Sequence, residues 1–540
     1  MRDSLRLAAL AVWGMLVWSG VGQASPLPPG TTLAPTQHVV RHLKDEPVSL
    51  DPVAAVGLTE AQVLRDLFEG LVNQGADGRV QPGVAYAWHS KDNQRYVFQL
   101  RDTARWSNGE ALTAYDFVYA WRRLVDPQTH SPFAWFAEMA GIANAAEIIS
   151  GQLPPDRLGV AAPDARTLVV QLNRPLAYFP QLCTHFSLFP QPQSIIARLG
   201  QAWTQPGHLV GNGAFQLTQR VVNERIVLSA NPYYWDRANT HLTQVTFIPI
   251  NQESAATHRY LAGDIDITES FPKNRYAQLK ARLPGQVFTP DQLGTYYYAF
   301  NTRRPPLNDV RVRRALSYAI DREIIAGKVV GSGEKPAYRL TPDATADFPP
   351  TPLAWQQMSQ AERHRQARAW LREAGYGPGK PLKLTLLYNT AENHQKIAIA
   401  VASMWKKTLG VQVKLTNQEW KSYVDSRNSG QFDVVRASWM ADYNEASSFL
   451  TLLSRRHSGN LSGFNRPEYD ALLQQAAGER DAQRRREVYL QAERMIAEAA
   501  PIAPIYQYTN ARLIKPWVKG YPITNPEDVA YSRQLYILAH

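Results

Sequence analysis

Between Pro381 and Trp439 the chain alternates strand-like and helix-like patterns in an order that few folds accommodate. "PLKLTLLYNT" alternates as a strand does, and "HQKIAIAVASMWKKTLG" continues with helical spacing and stops at Gly410. "VQVKLTNQEW" reads as a second strand, "KSYVDSRNSG" as a short helix and "FDVVRASW" as a third strand. Strands joined through helices lie side by side in one direction, so this stretch predicts an α/β lobe with a substantially parallel sheet. Ligands of such lobes collect at the carboxyl ends of the strands. The stretch "RASWMADYNEA", Arg436–Ala446, begins there, which makes it a candidate site by placement alone.

Other segments supply further elements. In "TAYDFVYAWRRLV", Thr113 caps a helix with Asp116 three positions on, and Phe117, Val118, Trp121, Leu124 and Val125 form its apolar stripe. "YVFQLRDTARWSNGEAL" predicts two strands around a turn at Asn108-Gly109. "NDVRVRRALSYAIDREIIAGKV" predicts a second long helix, with Val312, Leu316, Ala319, Ile320 and Ile324 on one stripe and Pro305 and Pro306 stopping what precedes it. No fixed-period repeat is visible, which leaves solenoids and propellers without support.

A chain of 540 residues exceeds one hydrophobic core, so two or three lobes are expected. At the N-terminus Arg2 and Arg6 precede an apolar run from Leu7 to Trp18, and Gly22 and Ala24 suit a cleavage site. Residues 1–24 therefore read as a secretory signal peptide. No cysteine follows the apolar run, so a lipid anchor is not expected. The one cysteine, Cys183, cannot form an internal disulfide and reads as a small buried apolar residue. The net charge of +11 is spread among alternating signs. The densest run, Arg484–Arg486, reads as a solvated helix face, and export makes nucleic acid an improbable partner.

Signatures of catalysis and of metal binding are missing. There is no H-E-x-x-H, C-x-x-C, EF-hand loop or G-x-S-x-G elbow, and the twelve histidines make no pair at metal-ligand spacing. "GYGPGKP" lacks a phosphate loop's spacing and reads as a turn before a strand. "GNGAF", Gly211–Phe215, lacks the third glycine of a dinucleotide site. No enzyme, cofactor or metal is expected.

Four stretches carry a resemblance: "LDPVAAVGLTEAQVLRDLFEGL", "LRDTARWSNGEALTAYDFVYAWRRLVDP", "PLNDVRVRRALSYAID" and "ADYNEA". They resemble, in the same order, the extracytoplasmic oligopeptide-binding proteins of ABC importers. The resemblance implies a periplasmic-binding-protein-like type II α/β fold, bilobal with an extra third domain, enclosing its ligand at the hinge interface. Domain I would comprise 25–68, 193–293 and 510–540, domain II 69–192 and domain III 294–509. It further implies a periplasmic monomer that binds a small peptide and serves the membrane permease subunits of an importer. "SPFAWFA", "NQESAATHRYLAGDIDITESFPKN", "LYNTAENHQKIAIAVASMWKK" and "APIYQYTNARLIKPW" are most similar to the branch whose ligand is murein tripeptide, L-Ala-γ-D-Glu-meso-diaminopimelate. A general receptor for α-linked peptides is the alternative, and an exported hydrolase is the remote one.

The resemblance also assigns residues. Asp442 matches the ligand of the peptide's amino terminus, where an anion offsets the cost of enclosing an ammonium; a turn-capping aspartate is the competing reading. Murein tripeptide carries three carboxylates and two ammonium groups, so cations are expected away from Asp442. Arg427 and Arg436 match positions near the ligand and suit bidentate carboxylate pairing, though either could be a surface ion pair. His394 matches a position that meets a longer peptide's carboxyl end. Trp420 and Trp439 would wall side-chain pockets rather than fill a core, with Phe133 on the opposing lobe. Backbone groups at Gly57, Leu58 and Ser438 would pair with the ligand main chain in strand fashion. Tyr297 and Tyr508 lie in segments expected near the interdomain crossovers. Val56 stands where some general peptide binders have an acid, which would favour an anionic ligand.

Overall fold

The computed structural model describes residues 27–55, 57–346, 348, 351–455, 457 and 459–540. The signal segment 1–24 and Val56 lie outside the described residues. The alternation between Pro381 and Trp439 folds as expected into strand Lys383–Asn389, helix Glu392–Leu409, strand Gln412–Gln418, helix Trp420–Asn428 and strand Val434–Met440. Gly410 closes the longer helix at φ +71°. Lys383–Asn389 is the middle strand and pairs in parallel with both of the others.

The sheet is nevertheless mixed. Strand Asp291–Phe300 joins Val434–Met440 antiparallel, and Ile502–Thr509 and Lys335–Pro336 extend the sheet to six strands. These pairings link segments far apart in sequence, so the local pattern held no sign of them. Successive residues of Asp291–Phe300 serve opposite faces, as the strand period of two requires. Tyr296, Tyr298 and Phe300 enter one core with Ile397 and Trp405, while Tyr297 and Ala299 enter another with Phe449 and Tyr489.

Two four-stranded sheets make the rest of the frame. One has the order His38–Leu43, Gln244–Pro249, Arg225–Ala230, Phe215–Val221; the other Ala85–Ser90, Arg95–Leu100, Thr167–Gln171, Val160–Asp164. A single continuous core underlies both and contains Trp121, Cys183 and Trp203. The glycines of "GNGAF" serve packing. A Cβ on Gly213 would stand 2.4 Å from the Asp66 carbonyl oxygen at the end of helix Leu58–Leu67. The capping box forms as read: the Thr113 N–H donates to Asp116 Oδ2 at 2.7 Å, ahead of helix Ala114–Val125.

Three expectations need correction. Asn108-Gly109 forms its turn, with Gly109 at φ +89°, but only one bridge, Arg105 to Ala111, flanks it. Strand Arg95–Leu100 pairs instead with Ala85–Ser90 and Thr167–Gln171. The second long helix stops at Tyr318 and restarts at Arg322. Arg322 is fully buried and donates to the carbonyls of Ala337 and Pro504 at 2.9 and 2.7 Å, and Asp321 caps the new turn. Tying that guanidinium to the sheet outweighs helix continuity and leaves Ile324 exposed. Arg485 is not on a solvated face; it is buried against Glu445 at 3.6 Å.

Candidate functional site

The loop after strand Val434–Met440 is held by its own polar groups, with one exception. The Asp442 N–H donates to Ser448 Oγ at 2.9 Å, and Trp439 Nε1 donates to the Ser448 carbonyl at 2.6 Å. Tyr443 stacks on Tyr178 with ring centroids 5.1 Å apart. Asn444 Oδ1 accepts from the Ala346 N–H at 2.7 Å. Glu445 accepts from the Ser447 N–H at 2.7 Å and from the Tyr489 hydroxyl at 3.2 Å, opposite Arg485. Tyr443, Asn444 and Glu445 are thereby scaffold. Asp442 is exposed, yet its carboxylate has no hydrogen-bond or ion-pair partner among the described residues, and desolvation by its surroundings pushes its pKa up.

Asp442 opens into a cavity of about 340 Å³ that is shared across the cleft with Gly57, Leu58 and Phe133. Leu58, Trp135 and Met440 leave apolar surface open to it. Phe133 is fixed edge-on against Phe186 at 5.1 Å and beside His185 at 5.0 Å. Two titratable groups that the sequence did not single out line the same cavity. Arg65 Nε and Glu527 Oε2 are both without a partner, and desolvation raises Glu527 to about 7.

A second cavity, of about 800 Å³, is lined by Tyr297, Arg427, Ser438 and Trp439. Arg427 comes from the last turn of helix Trp420–Asn428 and lies over the Tyr423 ring at 5.6 Å. No aspartate or glutamate is among the described residues lining this cavity.

Arg436 lies apart from the cavity that Arg427 lines. It pairs in register with Tyr298, while Trp439 pairs with Thr295, so the two side chains leave opposite faces of the sheet. Arg436 is 8% exposed, donates to the Tyr508 hydroxyl at 3.1 Å and to Asn389 Oδ1 at 3.5 Å, and stacks over Tyr296 at 4.8 Å. Its Nε has no partner. His394 packs on the same Tyr296 ring at 5.6 Å. Burial, with Arg436 second, lowers His394 to about 4 and leaves it neutral at physiological pH. Arg436, Tyr508 and His394 are therefore a group of their own. Trp420 is 54% exposed, stacks on Tyr423 at 5.7 Å and lines neither cavity.

Chemically, Asp442 is an anion without a charged partner, and Arg427 and, on the other face of the sheet, Arg436 are guanidiniums without a carboxylate partner among the described residues. That arrangement suits a zwitterionic ligand with extra negative charge. Among the described residues no cluster of three His, Cys, Asp or Glu side chains could hold a metal ion.

Residues 79–460 match the family model for the middle region of bacterial extracellular solute-binding proteins, family 5. The chain is 62% identical over 517 residues, 96% of each sequence, to the periplasmic murein peptide-binding protein MppA of Escherichia coli strain K12. It is similar to the solved unliganded open form of the murein tripeptide-binding protein MppA. The TM-score is 0.92 at 62% identity, covering 95% of this chain and 99% of that one. Another structure, of the Escherichia coli murein tripeptide-binding protein, gives a TM-score of 0.72 at 63% identity, covering 94% and 100%.

Proposed function

The chain belongs to the family-5 bacterial extracellular solute-binding proteins, and from that premise we propose that it captures murein tripeptide in the periplasm and delivers it to an ABC importer. The observation that carries this reading is the pairing of an unpartnered Asp442 with an acid-free cavity at Arg427. A free-standing anion and free-standing cations in one cleft are costly to desolvate as the lobes close, unless the ligand brings the opposite charges. A peptide ammonium answers Asp442. The free α-carboxylate of the γ-linked glutamate answers Arg427.

Arg436, with Tyr508 and neutral His394 beside it, takes the carboxyl end. Trp439 and Tyr297 wall the central pocket, Phe133 faces them from the other lobe, and Trp420 closes over the ligand from its exposed position. Backbone groups of Gly57, Leu58 and Ser438 bond the ligand main chain. The lobes divide as domain I (25–68, 193–293, 510–540), domain II (69–192) and domain III (294–509). The protein works as a monomer, docks on permease subunits, and releases its ligand unhydrolysed.

Titration calorimetry of the purified protein with L-Ala-γ-D-Glu-meso-diaminopimelate tests the proposal, with α-linked tri- and tetrapeptides as competitors. The γ-linked tripeptide should bind and should win. Equal or tighter binding of α-linked peptides would make the protein a general oligopeptide receptor instead.

A further inference from the structure

The cavity behind Trp439 holds more cationic charge than one carboxylate requires. Its described lining includes Arg303, Arg427 and Arg455. Arg455 is already engaged, its Nε 2.6 Å from Asp470 Oδ2. Arg427 and Arg303 pair with no carboxylate among the described residues.

Arg303 is exposed, yet it is not loose. Its guanidinium donates to the Leu461 carbonyl at 3.3 Å. The turn carrying that carbonyl makes room for it at Gly463, φ +69°, where a Cβ would stand 2.6 Å from Arg303 Nε. On its other side, a Cβ on Gly430 would lie 3.9 Å from the guanidinium. Gly430 follows Arg427 by three residues. Arg303 thus spans from the turn at 459–463 to the end of the helix that carries Arg427. Two guanidiniums held at one acid-free cavity repel each other, and closing the cleft over them adds a desolvation cost. A ligand with one carboxylate here would leave one of them unanswered.

The tripeptide proposed above has three carboxylates. One is its carboxyl end, assigned to Arg436, and one is the α-carboxylate of the γ-linked glutamate, assigned to Arg427. The third ends the diaminopimelate side chain. We infer that Arg303 pairs with this side-chain carboxylate, and that it makes the protein select tripeptides ending in diaminopimelate over those ending in lysine. The inference rests on the murein-tripeptide reading. Lysine is the same side chain without that carboxylate, so the two ligands isolate the contact.

Calorimetry with L-Ala-γ-D-Glu-meso-diaminopimelate and L-Ala-γ-D-Glu-L-Lys, on the parent protein and on Arg303→Gln and Arg303→Lys, tests this. The parent should favour the diaminopimelate form by about tenfold or more, the scale of a hydrogen bond to a charged group. Arg303→Gln should abolish the preference while moving the lysine form by less than about twofold. Arg303→Lys should keep part of it. Thermal melts of the variants should match the parent. A parent protein without the preference overturns the inference, as does an Arg303→Gln variant that weakens both ligands equally or leaves the preference intact. A parent that binds neither γ-linked tripeptide overturns the function proposed above and the inference with it. Binding of both by the parent separates the two failures.

Discussion

Asp442 is the residue on which ligand capture should turn, because its loop satisfies every neighbour and leaves it alone. Replacing it with asparagine keeps the shape and removes the charge, so affinity should fall by about 2–5 kcal/mol in calorimetry, the range for truncating one partner of a buried charge pair. The pH dependence follows from the same isolation. Desolvation raises the carboxyl pKa of the empty protein, and a bound ammonium favours the ionised form and lowers it again. Binding therefore expels a proton, and affinity should decline as pH falls through the empty-state pKa; Asp442→Asn should flatten that decline. Folding has the opposite sign. A carboxyl whose pKa is higher in the folded than in the unfolded chain costs stability as pH rises through that interval. The unliganded asparagine variant should then melt no lower than the parent at neutral pH. A lower melting temperature would make Asp442 a turn-capping residue. The two arginines should separate as well. Arg427→Ala should weaken the murein peptide more than a neutral tripeptide and leave the melt alone. Arg436→Ala should do the same and also lower the melt, since it strips a buried cation from Tyr296 and Tyr508. Asp442 could be singled out from the sequence because the motif that carries it is local to one loop. The separation of Arg436 from Trp439 was also within reach, since an odd spacing on a strand means opposite faces. Arg303, Arg65 and Glu527 were not, because chain segments far apart deliver them to the cleft.

At the scale of elements, what the sequence revealed depended on whether the controlling contact was local. The capping box at Thr113 and Asp116 and the glycine stop at Gly410 formed as read, for each lies within a few residues of what it controls. The break after Tyr318 was hidden because its cause is Arg322, bonded to carbonyls 15 and 182 residues away. The second strand expected near Asn108 failed because Thr167–Gln171 takes its place beside Arg95–Leu100. The cap gives a measurable expectation. Thr113→Ala should cost about 1 kcal/mol in urea unfolding, with peptide affinity unchanged, because helix Ala114–Val125 belongs to the frame and not to the cleft. Gly213→Ala should cost more than the cap does. Its Cβ would meet backbone at Asp66 and Leu67, which cannot rotate away as a side chain would.

The whole molecule is more similar to the solved unliganded open form than to another structure of the same relative. Two solved structures equally similar in sequence match it unequally, at TM-scores of 0.92 for the unliganded open form and 0.72 for the other. Contacts across the proposed lobes include two beside the site loop: Tyr178 stacks on Tyr443, and Asn444 Nδ2 donates to the Gly78 carbonyl at 3.4 Å; others lie away from it, such as Lys273 Nζ on Glu334 Oε1 at 2.8 Å. The first two involve neighbours of Asp442, so the loop proposed to meet the ligand's ammonium also meets the opposite lobe. Hinge closure around a ligand is an established mode of such two-lobed receptors. A ligand drives closure only by the difference in its affinity for the two arrangements; on the proposed function that difference would arise when Asp442 and the cavity shared with Gly57, Leu58 and Phe133 are brought around one ammonium. Small-angle scattering should therefore show the radius of gyration fall on adding murein tripeptide, toward the compact value of about 24 Å for a chain of this length. Asp442→Asn should keep the open radius at a ligand concentration that closes the parent. Closure of the variant at that concentration would mean that the arginine side of the cleft draws the lobes together, and Asp442 would contribute affinity without contributing the motion.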